Sequence, residues 1–250
     1  MRSLKILFWG GLAVLATLVF AGRKIADVFN RNVQLAQTND AREALRQENL
    51  EGFHSIEVDG AFEVELVQGS ASHIKLSGSE KDLANVVVSI SDSTLHVRYQ
   101  NGFNIATGHI QARIESPVLN RVDISGAVEV DCENGIKSRA FSIEMSGASN
   151  THIPLETEEL QIHLSGASNL TLSGTAGLVK AEGSGASHVY GEDLEAQVVR
   201  VHQSGASTFS MRAVRELHAE ASGASHVTYH GTPAVVNVNK SGAASVVGEE

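Results

Sequence analysis

The sequence predicts an all-β protein: a right-handed parallel β-helix, or a closely similar β-solenoid, with coils of about 19 residues, preceded by an N-terminal apolar helix. Three observations lead to this prediction. The tripeptide Ser-Gly-Ala recurs at near-equal intervals, the residues on either side of it alternate between apolar and polar, and the chain opens on an apolar run. A fixed period indicates a repeat architecture, and alternation with a period of two indicates strands.

The first 22 residues have the pattern of an export segment. Arg2 and Lys5 precede an apolar run over residues 6–22, as in a bacterial signal sequence. A run of 17 residues is slightly long for a cleaved signal and at the short limit for a membrane span. Basic residues follow immediately and disfavour cleavage, so both a signal peptide and an uncleaved signal-anchor remain open. Either one takes the rest of the chain out of the cytoplasm and into the cell envelope. An uncleaved segment makes it membrane-anchored, with the membrane as a partner through this segment, and a cleaved one leaves it periplasmic or at the outer surface.

A polar segment separates the apolar run from the predicted strands. Residues 23–52 have one short apolar stripe and are otherwise polar, which predicts a juxtamembrane stalk or linker. From residue 53 the pattern changes to alternation, and residues 53–67 predict a strand pair around an Asp59-Gly60 turn. Further strands are predicted at residues 73–76, 86–90, 94–99 and 109–114.

The Ser-Gly-Ala repeat occupies residues 118–247. Its seven copies start 18 to 21 residues apart, and five of them read Ser-Gly-Ala-Ser. The Ser-Gly pairs to which we assign a structural role are Ser125, Gly126, Ser146, Gly147, Ser165, Gly166, Ser184, Gly185, Ser204, Gly205, Ser222, Gly223, Ser241 and Gly242. Each repeat therefore predicts two short strands joined at a glycine corner, with a connecting turn.

Stacking is what makes so short a repeat stable. A unit of about 19 residues cannot bury its apolar face alone, but successive coils about 4.8 Å apart can bury it together. Glycine lets the backbone bend at the corner, and the aligned serines are expected to form ladders that hydrogen-bond from coil to coil. A four-stranded β-propeller blade needs more residues than this period supplies, and the leucine-rich repeat pattern is missing.

Composition excludes several classes of function. The formal net charge is −10, so no basic field is present to bind nucleic acid. A single cysteine, Cys132, excludes an intramolecular disulfide and a cysteine-cluster metal site. Cys132 falls at an inward position of the alternation, which predicts a small core residue rather than a nucleophile. We predict no cofactor.

The opening strands and the repeats together resemble a known family. The segment FHSIEVDGAFEVELVQG, followed by repeats such as LQIHLSGASNLTL, is similar to the "putative auto-transporter adhesin, head GIN domain" family. The resemblance covers residues 53–247 and implies an envelope-associated protein with a β-solenoid body. The first and last copies depart from the motif, with Val128 and Ala244 in place of the second serine. Terminal coils of solenoids are commonly atypical, so the resemblance stands.

One outward column is the candidate binding face. Two places before each motif the sequence has Asp123, Glu144, His163, Glu182, His202, Glu220 and Asn239. Imidazole and carboxylate groups both ligate divalent metals, so one interpretation is a cation-binding strip. The alternation also avoids placing like charges side by side, and we favour this interpretation, with no metal site. His163, Glu182 and His202 are the predicted binding residues. A second polar column, after the motif, holds Asn150, Asn169, His188, Thr208 and His226.

The sequence favours a binding role over catalysis. Charged residues are spread singly along the repeats, and no serine lies in a Gly-x-Ser-x-Gly elbow. We therefore predict a non-enzymatic, adhesin-like surface-binding module whose partner is a glycan or a protein. A structural or regulatory protein that senses the state of the envelope is the alternative, and a carbohydrate-active β-helix enzyme is the third possibility.

Overall fold

A computed structural model describes residues 43–100 and 110–249. The predicted apolar helix, and with it the signal peptide or signal-anchor, lies outside the described residues. Within the described ranges, no helix is long and apolar enough to cross a membrane. The elements are β1 Glu43–Asn49, β2 Ser55–Gln68, β3 His73–Ser79, α1 Glu80–Leu83, β4 Val86–Ser91, β5 Thr94–Tyr99, β6 Gln111–Ser116, β7 Arg121–Cys132, β8 Ile136–Met145, β9 Asn150–Leu164, β10 Asn169–Gly183, β11 His188–Gln203, β12 Thr208–Ala221, β13 His226–His230, β14 Val235–Lys240 and β15 Ser245–Glu249.

The strands form a β-solenoid of about seven turns, which confirms the all-β class and the stacked coils. From β7 to β15 every pairing is parallel, and residues at the same place in each repeat lie side by side. Ile162, for example, pairs with Ile143 on one side and with Ala181 on the other. The right-handed winding stays a prediction.

Inward positions fill one continuous core along the stack. On the strands before each motif, Ile162 and its equivalents Ile143 and Val201 are at most 3% exposed. After the motif, Leu170 and Phe209 are equally buried. Because strand side chains alternate between the two faces, the residues between them point to solvent, as the alternation predicted.

The Ser-Gly-Ala motifs lie in one column, as predicted, and form one corner of each coil. Gly166 has a φ of +75°, and a Cβ atom there would lie 2.5 Å from the carbonyl oxygen of Gly147 in the preceding coil. The amide of Ala167 donates a hydrogen bond to that same oxygen at 2.8 Å. Only glycine fits both the left-handed φ and this close approach of two backbones.

The serines bond mainly to the backbone rather than to one another. The first serine of a motif reaches the preceding coil, as where Ser204 Oγ donates to Gly183 O at 3.4 Å. The second serine is buried and bonds within its own motif, as where Ser207 Oγ donates to Ser204 O at 2.9 Å. A direct bond between serine hydroxyls joins Ser149 to Ser168. The predicted bonding from coil to coil is therefore confirmed for the first serines, whereas the second serines bond mainly within their own motif.

The opening section contains a coil that the repeat count missed. The predicted strand pair around Asp59-Gly60 is wrong: β2 runs unbroken through it, in parallel register with β7. Gly60 pairs with Gly126, so Asp59-Gly60-Ala61 occupies the place of a Ser-Gly-Ala motif. Asp59 Oδ1 accepts a hydrogen bond from Ser125 Oγ at 2.6 Å, which keeps the corner polar.

The remaining opening strands lie at the N-terminal end of the stack, where β5 and β6 pair parallel with β2 and the outer strands β4, β3 and β1 pair antiparallel. The predicted strands at 73–76, 86–90 and 94–99 are confirmed as β3, β4 and β5, and β6 corresponds to the predicted strand at 109–114. Strands β6, β3 and β1 continue the sheet from one part of β2, and β5 and β4 continue it from another. β1 lies in the segment predicted as a stalk, and it forms because it pairs along its full length with β3.

Candidate functional site

The predicted binding residues lie in one column on the outer face of the strands that precede the corner. His163 pairs in register with Glu182, and Glu182 pairs with His202. All three side chains are exposed, because they alternate with the buried positions of β9, β10 and β11. Parallel strands about 4.8 Å apart hold the three groups at that spacing in a straight row.

The column is longer than the sequence indicated. Glu57 on β2 pairs with Asp123, and His96 on β5 pairs with Glu57, so two further members extend it at the N-terminal end. The sequence alignment does not reveal Glu57 or His96, because the Ser-Gly-Ala motif is absent from their coils. The Asp59-Gly60-Ala61 segment is the signal that would have identified Glu57, since it stands two places before that segment.

Imidazole and carboxylate groups pair across neighbouring coils. His163 Nδ1 lies 3.4 Å from Glu182 Oε2, and His202 Nδ1 lies 3.2 Å from Glu220 Oε2. Because these side chains are exposed, each pair contributes little to stability. These imidazole–carboxylate pairs place unlike groups side by side on neighbouring strands, as charge compensation across strands requires. Both groups of each pair remain exposed to solvent.

The metal-binding interpretation finds no support in the geometry. Within residues 43–100 and 110–249, no three His, Cys, Asp or Glu side chains come together as a metal site. A row of single side chains at strand spacing brings two neighbours into contact at a time, whereas a zinc or calcium site needs at least three ligands around one point.

At its N-terminal end the column becomes a cluster of carboxylates. Asp123 lies between Glu57 and Glu144, and Arg121 Nη2 contacts Asp123 at 2.7 Å and Glu144 at 3.1 Å. Burial raises the pKa of Asp123, and the negative charges of Glu144 and Glu57 add to this rise, while Arg121 opposes it. The sequence had no signal for the arginine bridge, because it joins residues from two different coils.

A shallow groove of about 410 Å³ runs beside the column. Residues of the column and the first serines of the motifs line it together. Its polar lining includes Asp123, Glu144, His163, Glu182, His202, Ser146, Ser165, Ser184 and Ser204. Carboxylate, imidazole and hydroxyl groups thus recur along its length, a lining suited to hydrogen bonding with an extended polar partner.

The second polar column lies on the strands that follow the corner. Asn169 pairs with Asn150 and with His188, and Asn169 Nδ2 donates to Asn150 Oδ1 at 2.7 Å. The ring of His188 stacks on that of Tyr190, with centroids 6.2 Å apart. This column, continued by Thr208 and His226, is confirmed as an aligned row with both amide and aromatic groups.

Cys132 is a core residue, as predicted. It is 2% exposed, and burial raises the pKa of its thiol to about 11. The reactive thiolate is therefore scarce at neutral pH.

Comparison with known sequences assigns the family. The sequence model described as "Putative auto-transporter adhesin, head GIN domain" matches residues 52–233. The chain belongs to this family. The head GIN match begins just before β2 and ends after β13, so it includes the coil at Gly60 and six of the seven Ser-Gly-Ala motifs, while the motif at Ser241 lies beyond it. Among curated proteins, the search finds none that matches this chain.

Solved structures share the head GIN fold. A protein described as a putative adhesin, from Bacteroides fragilis NCTC 9343, is 21% identical with a TM-score of 0.79, over 83% of this chain and 97% of that chain. Another, from Parabacteroides merdae ATCC 43184, is 17% identical with a TM-score of 0.63, over 84% and 97%. A protein described as a putative lipid binding protein, from Parabacteroides distasonis ATCC 8503, is 15% identical with a TM-score of 0.67, over 83% and 97%. At these identities the likeness concerns the fold.

Proposed function

We propose that this head GIN protein is a non-enzymatic, adhesin-like binding module of the cell envelope. The observation that carries the proposal is the exposed row of His163, Glu182 and His202 beside a polar groove. The row continues over neighbouring coils in register, so an extended glycan or protein surface meets the same kinds of group at each step. Membership of a family described as adhesin heads supports the same class of function.

The row suits repeated weak contacts. Each exposed imidazole or carboxylate offers one or two hydrogen bonds to a partner and remains in contact with water, so a single contact is weak. Several such contacts on one rigid strand array act together, and the combined affinity exceeds that of any one of them. Adhesion through an extended partner uses this arrangement, because no single deep pocket is required.

The placement of the carboxylates supports binding rather than turnover. Glycoside hydrolysis uses two carboxyl groups that face each other across the scissile bond, one of them with a raised pKa. Here Glu182 and Glu220 lie in one row on the same face, each beside a histidine. Asp123, the member with a raised pKa, is held by Arg121, which favours its charged form.

The test is a triple substitution with a matched control. Changing His163, Glu182 and His202 to Ser removes two imidazoles and one carboxylate from the row. The control changes His54, His152 and Glu195 to Ser and removes the same groups elsewhere on the surface. Both variants are applied to an array of bacterial and host glycans and to whole bacterial cells, after circular dichroism has shown that they are folded.

We expect the triple variant in the row to lose at least tenfold in retention on the glycans or cells that hold the wild-type protein, and the control to retain it. Equal retention by the two variants would place the binding face elsewhere. Release of shortened glycans by the wild-type protein would overturn the non-enzymatic assignment.

A further inference from the structure

Tyr190 is an exposed aromatic residue on β11, one of the strands that follow the corner. Its surface is 43% exposed, whereas the other phenylalanines and tyrosines of residues 43–100 and 110–249 are buried or half-buried. A single exposed ring is ordinary on a protein surface. The residues around Tyr190, however, are arranged as a contact surface, and the proposed function does not involve them.

Two rings and their neighbours form an aligned surface on β10, β11 and β12. The ring of His188, two residues before Tyr190 on the same face, lies at 15° to the tyrosine ring, with centroids 6.2 Å apart. Asn169 and Thr171 stand in register on one side of this pair, and Thr208 stands beside His188 on the other. All three neighbours are smaller than the tyrosine ring, so they leave it open to a partner. We call these five residues the Tyr190 face.

The Tyr190 face has no Asp, Glu, Lys or Arg. It presents amide, hydroxyl, imidazole and phenol groups, all of which form hydrogen bonds, and the Asn169 amide is oriented by its bond to Asn150. The row before the corner differs, because it includes the carboxylates of Glu182 and Glu220, and the whole chain has a net charge of −10. A neutral partner can therefore cover the Tyr190 face without removing a carboxylate, ammonium or guanidinium group from water, which would be costly.

A β-bulge borders the Tyr190 face. Directly after Gly191, residues 192–194 of β11 have no partner on β12. Bulges are common next to functional sites, where they re-aim a side chain. This bulge contains Glu192 and Asp193, and the Asp193 side chain is exposed. Two carboxylates at the border repel an anionic partner, so the face favours a neutral one.

We propose that the Tyr190 face binds a neutral glycan, as a second binding site in addition to the row of the proposed function. The tyrosine ring stacks on the C–H groups of one sugar, since the face of an aromatic ring is partly negative and those groups are partly positive. The amide and hydroxyl side chains of neighbouring coils bond to sugar hydroxyls, which both donate and accept in the same way. The spacing of about 4.8 Å between coils is close to the length that one sugar unit adds to a glycan chain, so consecutive sugars meet consecutive coils.

A protein partner suits this face less well than a glycan. Protein interfaces are centred on a tightly packed group of apolar and aromatic side chains from which water is excluded. Here the tyrosine and histidine rings are surrounded by amide and hydroxyl groups, which stay hydrogen-bonded only if the partner offers polar groups at each position. A glycan offers hydroxyl groups along its whole length.

The test is isothermal titration calorimetry of the full chain in a polyoxyethylene detergent, which contains no sugar. The titrants are neutral hexasaccharides of glucose, mannose, xylose and N-acetylglucosamine, and hexagalacturonate, which has a carboxylate on every sugar. We expect at least one neutral hexasaccharide to bind at least tenfold more tightly than hexagalacturonate.

Three variants show whether the ring carries this binding. Tyr190→Ala is expected to raise the dissociation constant of the bound hexasaccharide at least tenfold, because the stacking surface is lost, and Tyr190→Phe is expected to keep it within about threefold. The control Leu45→Ala removes another exposed side chain, on β1, and is expected to bind as the wild type does. Circular dichroism establishes that each variant is folded.

The same titration separates the Tyr190 face from the row. The triple variant His163→Ser, Glu182→Ser and His202→Ser is expected to bind the free hexasaccharide as the wild type does, because the row lies on the strands before the corner. Retention on immobilised glycans and on cells depends on many contacts acting together, so that measurement still tests the row. Four results would each overturn the second site: loss of hexasaccharide binding in the triple variant, an unchanged dissociation constant in Tyr190→Ala, tighter binding of hexagalacturonate, or binding of none of the neutral hexasaccharides.

Discussion

Gly166 shows what a single residue contributes to this fold. Its φ of +75° disfavours any side chain, and its neighbour in the preceding coil, Gly147, comes within van der Waals contact of where a Cβ would be. The same approach is repeated at the corners of the neighbouring coils, so the stack is held together where its backbones are closest. Gly52 has a similar φ of +85° but no atom within 4 Å of a Cβ. Substitutions at Gly52 and Gly166 therefore separate the energetic cost of a side chain in a left-handed backbone conformation from the cost of a clash with the preceding coil.

We predict that Gly166→Ala destabilises the domain by more than about 3 kcal/mol, since the new methyl group must displace the backbone of Gly147. Gly52→Ala is expected to cost about 1–2 kcal/mol, the penalty for a left-handed conformation alone. Urea unfolding followed by circular dichroism measures both. Equal losses of stability would show that the corner does not require close contact between coils.

Gln203 is a polar residue in the hydrophobic core. It stands at an inward position and is 1% exposed, yet neither polar atom of its side-chain amide has a hydrogen-bond partner among the described residues. The same position holds Met145 and Leu164 in earlier coils and the small residues Gly183 and Ala221 in the two adjoining ones, which leave room for the long side chain. A buried amide without partners costs free energy that a side chain of similar volume without polar atoms would not.

We predict that Gln203→Met raises the free energy of unfolding by about 1–3 kcal/mol. The control is Gln161→Met at an exposed position, which is expected to change it by less than about 0.5 kcal/mol. Thermal unfolding of the two variants and the wild type gives the comparison. A loss of stability in Gln203→Met would mean that the amide is hydrogen-bonded in solution, for instance through a buried water.

At the scale of elements, each coil is a unit that contacts its two neighbours. β10 lies between β9 and β11 and pairs with both along nearly its whole length. Equivalent residues of β9 and β11 therefore lie two steps apart along the same columns. An entire coil can be removed without changing which positions face inward.

Deleting residues 165–183 removes one whole coil and joins β9 to the next intact motif. We predict that this variant folds with the strand content expected for its length and unfolds cooperatively at a lower temperature, because one layer of core is lost. Deleting residues 174–183 removes half a coil. The residues that follow are then out of register with the preceding coil, and the variant is not expected to fold. Circular dichroism and thermal unfolding distinguish them. Failure of the whole-coil variant to fold would show that the coils are not interchangeable units.

At the scale of the whole molecule, the two ends of the solenoid differ from each other, whereas the coils between them are alike. At the N-terminal end β5 and β6 lie on β2 and are followed by antiparallel strands, whereas at the C-terminal end no strand of the described residues stacks on the last coil. The predicted export segment precedes the N-terminal end in the chain.

We predict that residues 53–250 lie on the non-cytoplasmic side of the membrane, because the basic residues Arg2 and Lys5 precede the apolar run, as in a bacterial signal sequence, and the run is long enough for export. A C-terminal fusion to alkaline phosphatase, which is active after export, is expected to be active in intact cells. The control lacks residues 1–22 and is expected to be inactive. An inactive full-length fusion would contradict the export prediction.

The sequence by itself determined the repeat, its period and the inward and outward positions. These follow from local chemistry, because only glycine tolerates the corner and because alternation assigns each strand residue to one face. The row of His163, Glu182 and His202 followed from the same alignment, since equal spacing in the sequence becomes lateral contact once coils stack.

Only the tertiary structure decided those features that depend on contacts between segments outside the repeat or between neighbouring coils. The coil at Gly60, its extension of the row to Glu57 and His96, and β1 in the segment predicted as a stalk all arise from pairing between distant segments. The partners of the serine hydroxyls likewise depend on distances between coils. The exposure of Val236 and Val238 has the same origin: their pattern is that of buried residues, and burial requires a following layer that the described chain does not supply.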